Sequence, residues 1–366
     1  MTPSAEHPSS TALSPASPGR RAMYLELTKA RLSGLVLVTT AVGYLLGLPS
    51  GVNWLDASRE AFIALFAGDW STLEALGRVS FGSINWLTFA LVLIGAGLAA
   101  GGTSALNQWL EVERDAAMPR TADRPLPSGA MKRSEAFLSG SVMVLVGAGL
   151  LFFAVNPLAG FLTLFTATLY ILVYTPMKPR STLNTLVGAV CGAVPPMIGW
   201  AAASGTLSLG AWLLGAILFV WQLPHFLALA WMYRDDYARG GFRMLPAVDP
   251  SGELTGRIVV ITTMLLLPLG LMMMMALRAQ PAQGWSISAG LTGWGGLVFA
   301  IVSTGLTMYF LLQGWRLFRE RSRDNARRVF LASILYLPLV LLVLVLDQPR
   351  PPAAAQAAFV QMSASR

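Results

Sequence analysis

The chain has 366 residues, of which 55% are hydrophobic and only 12% are charged, and its mean hydropathy is +0.60. Soluble domains carry about 25% charged residues, so this composition excludes an ordinary water-soluble protein and favours one that is solvated by a lipid bilayer. The net charge of +8 does not indicate nucleic-acid binding, because the basic residues form short clusters between apolar runs instead of one continuous face.

The chain begins with a segment, residues 1–22, that is rich in Ser, Pro and Ala and lacks the apolar core of a signal peptide. We expect a disordered cytoplasmic tail there. Residues 23–347 are expected to form one domain, and residues 348–366 a C-terminal tail. The insert at 49–84 mixes apolar and polar residues and is predicted to lie on the outer membrane surface as interfacial helices.

Nine apolar runs in the domain are long enough to cross a hydrocarbon layer, which takes roughly 20 residues. They predict an all-α, polytopic membrane protein with nine transmembrane helices in one bundle around a central cavity. The predicted spans are about 31–48, 86–108, 136–155, 158–175, 185–204, 208–231, 258–277, 291–314 and 329–346.

The distribution of lysine and arginine predicts the orientation of these spans. If the N-terminus is cytoplasmic, 21 of the 26 basic residues fall on the inner side, which fits the positive-inside rule. The outer side keeps five: Arg59, Arg78, Arg278, Arg350 and Arg366. The C-terminus is therefore predicted to lie outside.

The second span continues into an acidic stretch with Asn107, Glu111 and Asp115 at four-residue spacing. On one helix these side chains form a stripe roughly 12 Å long. Their oxygens are the ligands that Mg²⁺ prefers, although charges at a helix end are also common without any function. Arg120 and Arg124 follow beside a proline turn, and arginine forks match phosphate oxygens. Together the residues predict a metal-bridged diphosphate site, with topogenic charge as the alternative for the arginines.

A second acidic patch, Asp235 and Asp236, closes the sixth span on the same predicted side. Adjacent residues point about 100° apart on a helix, so only one can face a shared ion. We assign Asp236 to the metal and expect Asp235 to cap a helix or pair with an arginine. In a third inner loop, Lys178 and Arg180 are candidates for the leaving phosphate, with topogenic charge again the alternative.

His225 lies inside the sixth span beside Pro224, roughly 15 Å deeper than Asp235 on a straight helix. An ionisable residue at that depth is a candidate for function, and a hydrogen-bonded structural histidine is the alternative.

At these residues the chain resembles a known family. The run from Asn107 to Leu126 is similar to the intramembrane aromatic prenyltransferases typified by 4-hydroxybenzoate polyprenyltransferase. The segments Pro224-His225-Phe226 and Tyr233–Pro246 are more narrowly similar to the protoheme IX farnesyltransferases. Two departures are Glu111, where many superfamily members have Asp, and the second patch, which lacks a spaced Asp-x3-Asp.

The resemblance implies transfer of a farnesyl group from farnesyl diphosphate to a vinyl group of heme B, with Mg²⁺, in a bacterial cytoplasmic membrane. It implies that Asn107, Glu111, Asp115 and Asp236 bind the metal and diphosphate, and that Arg120, Arg124 and Lys178 stabilise the leaving group. The remaining implied substrate contacts are His225, which orients or ligates heme, and Tyr174, Arg180 and Tyr237. The resemblance is also compatible with a heme A-synthesising or terminal-oxidase partner. A prenyltransferase for a quinone precursor or chlorophyllide, and a transporter, are the alternatives.

Overall fold

The computed structural model describes residues 19–48, 63, 67–69, 84–278 and 294–346, and the regular structure in these ranges is entirely helical. The helices follow in chain order. They are α1 Arg20–Leu27, α2 Ala30–Leu46, α3 Trp86–Leu110, α4 Val112–Ala116, α5 Arg133–Ala154, α6 Pro157–Thr168, α7 Asn184–Ser204, α8 Leu209–Met232, α9 Arg234–Arg239, α10 Leu245–Val248, α11 Glu253–Arg278, α12 Trp294–Arg319 and α13 Arg323–Leu346.

The predicted all-α membrane bundle is confirmed in the described ranges. Eight helical segments are long and apolar enough to cross a membrane, and the bent pair formed by α1 and α2 brings the number to nine when it is taken as one span. Helix α1 begins at Arg20, so the last residues of the predicted tail are helical. The interfacial helices predicted for 49–84 and the tail at 348–366 lie outside the described residues, apart from a few positions of the insert.

Several helix ends follow from local chemistry. The Asn85 side chain accepts a hydrogen bond from the Thr88 amide at the start of α3. Asn156 does the same for Ala159 at the start of α6, where Pro157 occupies the first turn. Such caps satisfy amides that have no partner inside the helix. Helix α7 ends at Gly205, whose φ of 73° is readily adopted by glycine.

Helices that follow one another in the chain pack side by side, and α7 and α8 lie at the centre of the bundle. Helix α7 contacts α2, α6 and α8, while α8 also contacts α11 and α13. A cavity of about 330 Å³ lies between α2, α3, α6, α7, α8 and α13. The predicted central cavity is therefore present, and most of the side chains that line it are apolar.

Helices α2 and α7 approach closely at small residues. A Cβ added to Gly199 would stand 1.9 Å from the Thr40 carbonyl oxygen, and one added to Gly43 would stand 1.9 Å from the Pro196 carbonyl oxygen. Small residues allow two helix backbones to pack directly in a membrane, where van der Waals contact supplies much of the association energy. This contact fixes one wall of the cavity.

Gly199→Ala is therefore expected to destabilise the bundle by about 1–3 kcal/mol, because the obstructing atom is backbone and cannot swing away. Thermal unfolding in detergent measures the effect as a lower midpoint. Gly149→Ala on α5 is the matched control, since a Cβ at Gly149 meets no atom within 4 Å. Equal midpoints for the two variants would contradict the close contact.

Candidate active site

The first acidic stretch is buried at the end of α3. Asn107, Glu111 and Asp115 are 0%, 5% and 1% exposed, which is unusual for polar residues at a helix end. The prediction of one continuous helix through this stretch is wrong, because α3 ends at Leu110 and α4 begins at Val112. The amides of Glu111 and Asp115 nevertheless bond to the carbonyls of Asn107 and Glu111, so the four-residue spacing survives the break.

Each of these three residues has its own cationic partner from another part of the chain. Lys29 Nζ donates to Asn107 Oδ1 over 2.9 Å. Lys178 Nζ donates to Glu111 Oε2 over 3.1 Å and lies 2.9 Å from Oε1. Arg124 Nη1 donates to Asp115 Oδ2 over 2.7 Å. We call these six side chains the charged cluster. Two of its cations, Lys178 and Arg124, were predicted from sequence.

Lys29 was missed as a site residue, because a basic residue at an inner helix end is expected from topology alone. It occupies the junction between α1 and α2, where its φ of 47° and ψ of 51° place it in the left-handed region. Residues other than glycine rarely adopt this conformation outside special positions. Lys29 adopts this conformation at the bend between the two helices, and its ammonium contacts Asn107.

The π-helical turn Leu169–Tyr174 and the short helical turn Thr175–Met177 continue α6 into the same region. Thr175 Oγ1 donates to the Tyr170 carbonyl and accepts from Asn107 Nδ2 over 3.1 Å. Lys178 lies over the Tyr174 ring, 4.7 Å from its centroid. Burial lowers the pKa of the Lys178 ammonium, but Tyr174 and Glu111 raise it by more, so the pKa lies above its ordinary value and the group stays charged.

The second acidic patch contacts the first through aromatic and backbone groups. Arg120 lies over the rings of Tyr233 and Tyr237, at 5.5 and 6.0 Å from their centroids. Arg114 donates to the Gly240 carbonyl over 3.1 Å. The loops after α3 and α8 therefore lie against each other, as a shared site requires.

The individual residues of this patch differ in their surroundings. Asp236 forms an ion pair with Arg239, and the Asp236 side chain is 18% exposed. Asp235 is exposed and lies 3.8 Å from Arg234, in agreement with the expectation that it pairs with an arginine. Arg180 is exposed on the loop after Lys178, and no described contact joins it to the charged cluster.

The donor set fits Mg²⁺, which binds one or two carboxylates together with waters and phosphate oxygens. Glu111 Oε1 is buried, and its one polar contact among the described residues is the 2.9 Å ion pair with Lys178 Nζ, so it keeps a lone pair for a further ligand. Within the same part no three His, Cys, Asp or Glu side chains converge as in an all-protein metal cage. A site completed by a diphosphate matches both observations.

The central cavity joins the charged cluster to His225. Its lining includes Lys29 of the charged cluster, Tyr170 and Tyr174, and also Gln222, His225, Phe226 and Leu337. His225 Nδ1 lies 2.7 Å from Ser333 Oγ on α13. The ring stacks on Trp221 and on Phe330, at centroid distances of 5.0 and 4.8 Å. One largely apolar cavity is therefore lined both by a basic residue of the charged cluster and by an imidazole that is flanked by aromatic rings.

The chain is similar to known proteins over nearly its whole length. Residues 70–339 match the model of the UbiA prenyltransferase family. The protoheme IX farnesyltransferase of Solibacter usitatus (strain Ellin6076) is 40% identical over 326 residues, which are 89% of this chain and 98% of that protein. The protoheme IX farnesyltransferase of Opitutus terrae is 41% identical over 335 residues, which are 91% and 97% of the two chains.

Solved structures share the fold at low sequence identity. A structure of digeranylgeranylglyceryl phosphate synthase aligns with a TM-score of 0.64 at 16% identity, covering 89% of this chain and 98% of that one. A UbiA homolog from Archaeoglobus fulgidus bound to GPP and Mg²⁺ aligns with a TM-score of 0.53 at 12% identity, covering 88% and 99%. The chain belongs to the UbiA prenyltransferase family and, within it, to the protoheme IX farnesyltransferases.

Proposed function

We propose that this protein transfers a farnesyl group from farnesyl diphosphate to a vinyl group of protoheme IX, giving heme O and diphosphate. The observation that carries the proposal is the cavity that is lined both by Lys29 of the charged cluster and by His225. The relatives named protoheme IX farnesyltransferase, which align over almost their full length, support the choice of both substrates.

The charged cluster is proposed to hold the diphosphate. Glu111 and Asp115, with Asn107 and with Asp236 from the facing loop, would hold Mg²⁺, which when bound neutralises diphosphate oxygens as the leaving group develops charge. The A. fulgidus homolog with bound Mg²⁺ supports this requirement. Lys178 is buried and Arg124 is half-buried, so they supply positive charge in a setting where electrostatic stabilisation is stronger than in water.

Arg120 is proposed to close this site from the side of α8. Its guanidinium stacks on Tyr233 and Tyr237, which hold it beside the loop of Asp236. A guanidinium placed this way can donate to phosphate oxygens while its position remains fixed by the rings. Tyr237 is therefore proposed to position Arg120. Arg180 is exposed, and its proposed role is to attract the anionic substrate to the site.

The farnesyl chain is proposed to lie along the apolar cavity. Ionisation breaks the allylic C–O bond, and the diphosphate leaves with the electron pair. The allylic carbon then forms a C–C bond with the terminal vinyl carbon, and water adds to the inner vinyl carbon and loses a proton, giving the hydroxyethylfarnesyl group. Tyr170 and Tyr174 line the cavity and Lys178 of the charged cluster lies over the Tyr174 ring, so these aromatic side chains can stabilise the allylic cation and exclude water.

The reaction is proposed to take place at the inner side of a bacterial cytoplasmic membrane. The 21 basic residues predicted on that side, together with the membrane-spanning helices, support this orientation. Both substrates have large apolar bodies and anionic groups, so a site at the inner ends of the spans allows each to enter from the membrane. Handover of heme O to a heme A-synthesising or terminal-oxidase partner remains part of the proposal.

The test incubates the purified protein with protoheme IX, farnesyl diphosphate and Mg²⁺, and separates the hemes by chromatography. We expect heme O to form, to disappear when EDTA removes the metal, and to return when excess Mg²⁺ is added. Geranyl diphosphate and a quinone precursor serve as alternative donor and acceptor. Absence of heme O under conditions in which the S. usitatus relative makes it, or product formation that is insensitive to EDTA, would contradict the proposal.

A further inference from the structure

Gln222 is a buried polar residue whose amide is fixed by two backbone carbonyls. The residue is 5% exposed and lies in the middle of α8. Its Nε2 donates to the Leu218 carbonyl over 2.9 Å and to the Ala189 carbonyl, on α7, over 3.4 Å. Because a carbonyl only accepts, the amide cannot be turned over without losing both hydrogen bonds. The position of Oε1 is therefore fixed as well.

The Oε1 atom of Gln222 is a free hydrogen-bond acceptor at the cavity wall. It accepts no hydrogen bond from a described residue. The described side-chain atoms that are both fully buried and unpartnered are Gln108 Oε1 and Glu111 Oε1, so Gln222 Oε1 keeps surface that a water-sized molecule can reach. Gln222 lines the central cavity, which provides that surface. An acceptor left unpaired in an apolar setting is costly, so a donor is expected beside it.

His225 supplies a second acceptor one turn further along α8. Ser333 Oγ donates its hydroxyl proton to the Phe330 carbonyl over 2.6 Å, so the 2.7 Å contact with His225 needs a proton on Nδ1. No described carboxylate pairs with the ring, and a charged ring inside an apolar bundle is costly, so the ring is neutral and Nε2 carries a lone pair. Residues three apart share a helix face, with roughly 5–6 Å between their Cβ atoms, and both side chains line the cavity.

Water is the reactant that can satisfy both acceptors. The diphosphate and carboxylate oxygens of the proposed substrates accept hydrogen bonds, and the farnesyl chain and porphyrin edge carry only carbon-bound hydrogens. Water carries two O–H donors, one for each acceptor, and a bridging water binds nearly as well as a direct hydrogen bond. The hydroxyl group of heme O is a donor too, so the same acceptors also fit the product.

We propose that Gln222 Oε1 and His225 Nε2 hold the water that hydrates the farnesylated vinyl group, and that His225 is the base in this step. The inference rests on the proposed function for its chemistry. Once the new C–C bond has formed, the inner vinyl carbon is a cation. The water oxygen donates an electron pair to this carbon and forms the C–O bond, and a proton of the water passes to Nε2.

The competing fate of the cation gives a readout that does not depend on rate or on the folded fraction. Without a positioned water, the cation loses a proton from the adjacent carbon and becomes an alkene, which is lighter than heme O by one water. Mass spectrometry of the extracted hemes measures the ratio of alcohol to alkene. In water enriched in heavy oxygen, the wild-type alcohol should carry the label. An unlabelled alcohol would overturn the water site.

Gln222→Met keeps the length of the side chain and removes the acceptor. Loss of one hydrogen bond should lower the ratio of alcohol to alkene roughly 3- to 10-fold. Gln313→Met on α12 is the matched control, because Gln313 is also a buried glutamine, 3% exposed, and it does not line the cavity. An unchanged ratio in Gln222→Met, or an equal fall in Gln313→Met, would overturn the role of Gln222.

Gly192→Ala moves the same amide without changing its chemistry. A Cβ added to Gly192, on α7, would stand 1.9 Å from Gln222 Oε1 and 2.8 Å from its Nε2, so the amide must leave its two carbonyls. The ratio of alcohol to alkene should fall as in Gln222→Met. Gly210→Ala is the matched control, because its Cβ would stand 2.4 Å from the Trp200 ring and neither residue lines the cavity. Equal ratios in the two glycine variants would contradict the proposal.

An experimental map of the substrate-free protein at a resolution that shows water tests the site apart from the reaction. An ordered water is expected within about 3 Å of both Gln222 Oε1 and His225 Nε2, and it should be displaced in Gly192→Ala. Such a water without any farnesylated heme in the assay would contradict the proposed function alone. Heme O formation with no water between the two atoms would contradict the water site alone.

Discussion

Asp115→Asn is expected to lower the turnover of farnesyl transfer roughly 100- to 1000-fold, the range seen when one preorganised electrostatic contact is removed from an active site. The Asp115 carboxylate is 1% exposed and forms a 2.7 Å ion pair with Arg124. Asparagine has nearly the same shape, so packing is retained and the change removes only charge. Initial rates measured over a series of Mg²⁺ concentrations should also show weaker activation by the metal.

Glu113→Gln is the matched control for Asp115→Asn, because it makes the same chemical change two residues away. Glu113 is 70% exposed and pairs with Arg133 on the surface. Its backbone amide and Arg133 lower the pKa of the Glu113 carboxyl, but the pair is solvated and should contribute less than about 1 kcal/mol. Turnover of Glu113→Gln should stay near the wild-type value. If Asp115→Asn remained within two-fold of the wild type, Asp115 would be excluded from the diphosphate site.

The sequence predicted the bundle well because the length of apolar runs is a direct consequence of bilayer thickness. It also placed Asn107, Glu111 and Asp115 on one face, since four-residue spacing survives in the backbone hydrogen bonds. It did not predict the break at Glu111. Residues 107–116 contain no proline or glycine, so no local signal marks the interruption. The residue at the break, Glu111, pairs with Lys178 from a distant part of the chain, a contact that the sequence does not reveal.

The other differences between the sequence-based predictions and the structure involve contacts between residues that are far apart in the chain. Lys29 meets Asn107 only because α1 and α2 bend at a left-handed residue, and charge patterning cannot separate such a lysine from a topogenic one. The partner of His225 is Ser333, an unremarkable residue in an apolar helix far along the chain. Such contacts are set by which helices become neighbours. Spacing along the chain therefore predicted the acidic side of the charged cluster, whereas Lys29 and the pairing of each cation with its partner required the fold.

Lys178→Met should have two separable effects, one on stability and one on chemistry. Lys178 and Glu111 form a buried pair, with side chains 10% and 7% exposed. Removing the lysine leaves a buried carboxylate without its partner, which typically destabilises a protein by about 3–5 kcal/mol. It also removes a fixed cation from the leaving diphosphate, so turnover should fall roughly 100- to 1000-fold. Thermal unfolding in detergent and heme O formation measure the two effects.

The double variant Glu111→Gln/Lys178→Met distinguishes a structural from a chemical role for Lys178. Once both charges are gone, no unpaired buried ion remains, so much of the lost stability should return. Turnover should remain low, because the proposed Mg²⁺ ligand Glu111 and the cation proposed to stabilise the diphosphate are both missing, so the recovery of stability without recovery of turnover is the informative result. Arg133→Met is the control, since it breaks the exposed pair with Glu113 and should cost less than about 1 kcal/mol. If stability and turnover recovered together in the double variant, Lys178 would act by neutralising Glu111, and the charge on the leaving group would have to be balanced by Lys29 and Arg124 instead.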